Sequence, residues 1–175
     1  IRARSPRYAA LTQPQPLSLS EIQQQVLDPD TLLLEYWLGD DASYLFLVSQ
    51  TSITSHPLPK RAEIEAAARR VRELLTAAQP RPGDTEAKYQ ARVKEAEEGY
   101  WTQAAELSRM LLGPVASQLG GKRLAIVADG ILQYIPFAAL PAPSLSNDEG
   151  RNSRGEPQPL FIEHEIVSLP SAATL

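Results

Sequence analysis

Lys122-Arg123-Leu124-Ala125-Ile126-Val127-Ala128-Asp129-Gly130-Ile131-Leu132-Gln133-Tyr134-Ile135-Pro136-Phe137-Ala138-Ala139-Leu140-Pro141 is the stretch on which the fold turns. Leu124 to Ala128 is an unbroken apolar run, the pattern of a strand covered on both faces. Asp129-Gly130 follows, and Asp-Gly supplies the positive φ that tight turns need. A second apolar run then continues to Pro136, which stops it. The reading is strand, tight turn, strand: a rigid hydrophobic unit with no activated nucleophile in it.

Working outward, Ile53 to Leu58, Tyr44 to Ser49 and Leu32 to Leu38 read as three strands. In the last of these, Leu32, Leu34, Tyr36 and Leu38 share one face, and Leu33, Glu35 and Trp37 the other. Tyr44 to Val48 is apolar on both faces and is expected to be a central strand, covered on both sides. Ile53 to Leu58 is more polar and runs into Pro57-x-Pro59, which suits an edge. Leu160 to Leu169 alternates Phe161, Glu163, Glu165 and Val167 with Ile162, His164, Ile166 and Ser168, and reads as a further strand.

Helical spacing marks two longer segments. Ile64, Ala67, Ala68, Val71, Leu74, Leu75 and Ala78 form a stripe over 61–79. Pro80-Arg81-Pro82-Gly83 breaks it. A longer helix, capped by Asp84 and running to about Leu112, carries Tyr89, Val93, Ala96, Tyr100, Ala104, Leu107 and Leu111. Gly99 within it is a kink or a place of close approach. Gly113-Pro114 ends it, and Val115 to Leu119 adds one helical turn. Ser18-x-x-Glu21 is a capping box that starts a short helix, Leu19 to Leu27. The fold class is therefore α/β: a mixed sheet from 31–58, 123–135 and 160–169, flanked by helices.

Two segments lie outside this pattern. Residues 1–17 are rich in Pro and Gln and read as a linker, or as the tail of something upstream. Residues 141–159 are rich in Pro, Ser, Asn, Gly and charge, and are expected to be a flexible, protease-sensitive loop with Arg151 and Arg154 as first cutting sites. The rest, 18–175, is one domain.

Composition bounds the function. The 175 residues are 43% apolar and 22% charged, with a net charge of −4. Scattered basic residues argue against a nucleic-acid surface. The apolar runs are too short to span a bilayer, so no membrane partner is expected. There is no Cys, which removes thiolate metal sites, disulfides and a cysteine nucleophile from this chain. A cytoplasmic location is expected.

Each candidate for chemistry has a plainer structural reading. His164 and His56 are the only histidines; a His is suited to proton transfer near neutral pH, yet one lying on a strand is more often a packed or hydrogen-bonded residue. Ser168, His164 and Asp129 offer the residue types of a triad, but there is no Gly-x-Ser-x-Gly elbow, and a triad is recognised by geometry. Asp129-Gly130 can be read as a metal or phosphate feature, against the favoured turn. Gly120-Gly121 precedes a strand and no Gly-Lys-Ser/Thr follows, so it is not a phosphate loop. Asp40 and Asp41 are adjacent turn carboxylates that do not converge. Glu95, Glu97 and Glu98 form a solvated helix face. Trp37 and Trp101 are interface anchors or partly buried packing. The expectation is no catalytic residue, no cofactor-binding residue and no metal ligand.

The order of these segments resembles the CHAT family, caspase-like cysteine peptidase domains often found after tetratricopeptide repeats. The resemblance rests on Leu32 to Phe46, Leu58-Pro59, Gly121 to Gly130, Tyr134 to Leu140, Leu160 to Glu163 and Ser168 to Ala172. It implies the N-terminal, pseudo-protease portion of such a domain. It also implies that the catalytic His and Cys lie downstream, since no position here matches either motif. The chain alone would then be inactive, with a downstream catalytic half and upstream repeats as partners, and the uncovered docking surface would favour self-association. A stand-alone interaction module is the alternative. A hydrolase using His164 is a third, weaker reading.

Overall fold

A computed structural model describes residues 17–143 and 157–172. The linker reading of 1–17 falls almost wholly outside them, as do Arg151 and Arg154.

Five strands form one mixed sheet in the order β3-β2-β1-β4-β5. They are β1 (Thr31–Trp37), β2 (Ser43–Val48), β3 (Ile53–Leu58), β4 (Arg123–Val127) and β5 (Ile166–Leu169). β1 pairs antiparallel with β2 and β2 with β3, whereas β4 runs parallel to β1 and β5 parallel to β4. The central strand is thus β1, not Tyr44–Val48. β3 is an edge, as its prolines require. The crossover from β3 to β4 carries α2 (Arg61–Leu75) and α3 (Glu86–Leu112), then a 3-10 turn at Gly113–Val115 and α4 (Ala116–Leu119). Before β1, the single turn α1 (Leu19–Glu21) continues as a π-helical turn, Ile22–Val26.

The alternation in β1 divides the core in two. Leu32, Leu34, Tyr36 and Leu38 pack with Ile64, Ala67, Val71, Leu107, Leu111 and Ile126 in the main core, under α2 and α3. Leu33 points to the other face, where Leu27, Val48, Ala125, Val127 and Ala172 form a smaller cluster closed by Ile22 and Val26. The buried Tyr36 hydroxyl donates to the Leu111 carbonyl at 3.2 Å. Burial pushes this phenol well above its ordinary range, so it stays a donor.

The capping box forms as expected: Glu21 Oε2 accepts from the Ser18 amide at 2.7 Å, and Ser18 Oγ from the Glu21 amide at 3.3 Å. The Ser18 amide and the Ser18 hydroxyl, both donating to Oε2, hold the Glu21 carboxyl below its usual range. The α3 cap differs from expectation. Thr85 supplies it, accepting from the Lys88 amide. Asp84 instead accepts from the Arg81 amide and from both terminal nitrogens of Arg92, at 3.0 and 2.7 Å. Arg92 also donates to the Ala77 and Gln79 carbonyls, so one guanidinium ties together the elbow between α2 and α3. Helix α2 accordingly ends at Leu75 rather than 79.

Two expected strands are corrected. Residues 130–134 are a 3-10 helix, Gly130–Tyr134. Gly130 does take the positive φ of a tight turn, +55°. The chain then coils so that Leu132 and Ile135 are buried while Gln133 and Tyr134 are exposed, a spacing of three that no strand can give. Residues 160–162 are likewise a 3-10 turn, and β5 begins only at Ile166. The ends of the 141–159 segment are not loose. Ala142 donates to Gln158 and Leu160 to Leu140, around a Pro141–Pro159 bridge.

Two outcomes test this architecture. Leu34→Ala, at a fully buried site in the central strand, is expected to cost about 2–5 kcal/mol in urea unfolding, and Ile53→Ala on the exposed edge less than about 1 kcal/mol. The second concerns acid. The Arg92 hydrogen bonds, with the Arg81 amide, hold Asp84 below the ordinary aspartate range. Its contribution is therefore complete above the unfolded pKa of about 3.9 and is lost as pH falls through the lower folded value. Asp84→Asn should flatten that acid limb in thermal melts below about pH 4.

Candidate functional site

In open α/β sheets, ligands sit outside the carboxyl ends of parallel strands. Here β4 and β5 end together at a groove of about 250 Å³, whose walls include Ile126, Leu132, Ile135, Phe137, Ser168 and Leu169. A shallower depression adjoins it, sharing Gln133, Ile135 and Ser168 and extending to Arg72, Thr76 and Tyr134.

Local sequence explains the groove. β4 is too apolar to end in solvent, so after Val127 the chain turns at Asp129-Gly130 and folds a 3-10 coil back across the strand end. Asp129 fixes the turn. Its Oδ2 accepts from the Leu38 amide at 2.9 Å, which joins the turn after β4 to the end of β1. The backbone amide just beyond a strand has no ladder partner, so this bond satisfies a donor that would otherwise be orphaned. Gln133 Nε2 donates back to the Ala128 carbonyl at 3.3 Å. The guanidinium of Arg72 lies 5.2 Å from the centre of the Tyr134 ring, within cation–π range. Tyr100 and Ser108 hold the outer side, donating to the Ala139 and Pro141 carbonyls at 2.8 and 2.6 Å.

The groove lining is apolar, with an amide, a few hydroxyls and one cation at its mouth. Such a set can grip an extended peptide or a side chain. Among the described residues no lining residue is a histidine or a carboxylate. Over the described residues the groove is a mostly apolar surface.

The remaining candidates are dispersed. His164 is buried, in the turn before β5 rather than within a strand, with Nδ1 2.8 Å from the Lys122 carbonyl. A carbonyl only accepts, so Nδ1 carries the proton. Lys122 precedes β4 whereas Asp129 follows it, and Ser168 lies toward the carboxyl end of β5. By strand rise His164 is thus roughly 13 Å from Ser168 and, through its Lys122 contact, roughly 23 Å from Asp129, toward the opposite end of the sheet. Ser168, His164 and Asp129 do not form a triad. His56 Nε2 meets Thr54 Oγ1 at 2.9 Å on the outer strand. Asp40 pairs with Arg61 at 3.4 Å, and Asp41 points away into solvent. Glu98 faces Lys94 at 3.9 Å. No group of acidic, His or Cys side chains among the described residues could hold a metal ion. Trp101 packs edge-on to Tyr100, with ring centres 5.2 Å apart. Gly99 is neither a break in α3 nor a tight approach, since a Cβ there would meet Leu74 at an ordinary contact distance of 3.7 Å. Among the described residues no helix is long and apolar enough to cross a membrane.

The role of Asp129 is the feature that residue-level reading misses. Asp-Gly signals a turn, but nothing in the sequence shows which distant amide the carboxylate will reach. Asp129→Ala should leave the Leu38 amide unpaired and destabilise the fold by about 1–3 kcal/mol. His164→Ala should cost a similar amount through the Lys122 carbonyl. Both would be read by chemical denaturation.

The family model described as the CHAT domain matches residues 102–175, a span that includes the end of α3, β4, the 3-10 coil, the groove and β5. Over these residues, fewer than half of the chain, the sequence is similar to the CHAT domain, a caspase-like, peptidase-related family. No curated protein matches the chain.

Proposed function

We propose that this chain is the non-catalytic scaffold of a CHAT-type cysteine peptidase and packs against a catalytic half carried by polypeptide beyond this sequence. One observation carries the reading: the strands that match the CHAT family lie in a chain that has no cysteine at all. A Cys–His peptidase built on this sheet must therefore receive its nucleophile from elsewhere.

The edge of the sheet supports the same reading. β5 pairs with β4 on one side, and no other described strand pairs with it. Leu124 takes the Glu165 carbonyl at 2.8 Å. Bonding alternates along a parallel strand, so the amides of 166 and 168 face outward. Immediately before β5, Phe161 and Ile162 are 58% and 56% exposed. A bare parallel edge beside two exposed large apolar side chains is a surface suited to strand addition. The groove at the strand ends opens beside it. Strand addition on β5 would therefore place incoming residues against Ile126, Leu132 and Ser168. A stand-alone interaction module would use the same edge for an unrelated partner, so partner identity separates the two readings.

The test is co-expression with the polypeptide encoded downstream. The isolated chain should show no turnover of fluorogenic peptides, and His164→Ala should not alter that. The two parts should co-purify. Ser168→Pro, which removes an outward amide yet is tolerated at an edge, should weaken association at least about tenfold with an unchanged circular dichroism spectrum. Turnover by the isolated chain that His164→Ala abolishes, or association indifferent to Ser168→Pro, would contradict the proposal.

A further inference from the structure

Among the described residues, the face of the sheet opposite α2 and α3 is covered at the end where α1 and its π-turn lie over Leu33, Val48 and Ala125. Toward the carboxyl end of β1 it is open. Trp37 is 54% and Tyr44 37% exposed there. The two are cross-strand partners in register, with ring centres 6.2 Å apart and nearly parallel planes. Phe46 continues the row, 6.4 Å from Tyr44. The Trp37 ring is also backed by main chain: a Cβ at Gly39 would lie 2.7 Å from its Cη2 atom. The platform is held in place before anything binds.

Glu35 stands in this row. It is half-buried in the central strand, in register with Phe46 on one side and Val127 on the other. Its carboxylate makes no hydrogen bond or ion pair. A partly desolvated carboxylate between apolar neighbours is ordinarily paired; its cross-strand neighbours Phe46 and Val127 are apolar, and the nearest polar side chain in this row is the exposed Ser55, beyond Phe46.

We infer that this face is a docking site for a protein segment that presents an arginine, with the guanidinium seated over the Trp37–Tyr44 platform and paired to Glu35. Charge complementarity selects the cation, since among the described residues the open face offers one unpaired carboxylate and no basic side chain. Geometry selects arginine over lysine. A planar guanidinium stacks on aromatic rings while forking onto a carboxylate, and an ammonium cannot do both. The surface lies on a face of the sheet, separate from the β5 edge, so its occupation is independent of the association proposed above.

The experiment uses the full chain with Trp101→Phe, so that Trp37 is the sole tryptophan reporter. The probe is a short capped peptide of leucine and serine with a central arginine, titrated while Trp37 emission is followed. The control is the same peptide with citrulline in place of arginine. The arginine peptide should bind at least about tenfold more tightly, and Glu35→Gln should erase that difference. Trp37→Ala, followed by calorimetry, should abolish binding with the fold intact by circular dichroism. Equal affinity for the two peptides, no binding of either, or a preference that survives Glu35→Gln would overturn the inference. So would a self-association of the chain, seen by sedimentation, that Trp37→Ala dissolves, because the occupant would then be a second copy.

Discussion

The parallel pairing of β1 with β4 is the constraint on which the rest of the structure depends. It joins a local antiparallel hairpin array to a strand that arrives only after two helices have been laid down. Such a pairing brings a heavy loop-closure cost, and it is recovered by burial on both faces of the joint. Leu33, Leu34, Leu124, Ala125 and Ile126 are all essentially inaccessible to solvent. A polar side chain at any of these positions would lack a partner on either face. The strands to either side tolerate more: β3 is mostly exposed, and β5 is only half-covered.

That joint also sets where function can lie. Because β1, β4 and β5 run the same way, their carboxyl ends come together, and Asp129 ties two of them through the Leu38 amide. The 3-10 coil that follows makes the groove wall. The neck at Pro141–Pro159 and the hydroxyls of Tyr100 and Ser108 brace that wall from outside. Each hydroxyl makes a single hydrogen bond to a carbonyl and the neck makes two, each worth about 1 kcal/mol net. Together they hold a short, irregular segment that has no ladder of its own.

Much of this was legible in the residues. The two faces of β1, the capping box at Ser18, the amphipathic stripe of α2 and the edge character of β3 each follow from spacing and from Gly or Pro placement. The segments read wrongly share one cause. Ile131 to Ile135 and Leu160 to Ile162 are apolar enough to resemble strands, yet their buried residues recur every third position or not at all. Leu132 and Ile135 show that period openly. Phe161 and Ile162 do not, because they are apolar and exposed, and alternation cannot distinguish a core residue from one awaiting a partner. Tyr44 misleads in the same way: an aromatic on an uncovered face suggests burial on both sides. Bonds such as Asp129 to Leu38 and Arg92 to the α2–α3 elbow depend on tertiary approach, which no local pattern encodes.

Under the proposed function, this sheet is completed by polypeptide carrying the catalytic cysteine, through the outward edge of β5. Amide hydrogen exchange at Ile166 and Ser168 tests it most directly, measured on the chain alone and in complex with the downstream polypeptide. These amides should exchange rapidly in the isolated chain and slow by orders of magnitude in the complex, while those of β1 stay slow in both. Protection of Ile166 and Ser168 in the isolated chain, or exchange that the downstream polypeptide leaves unchanged, would contradict the account.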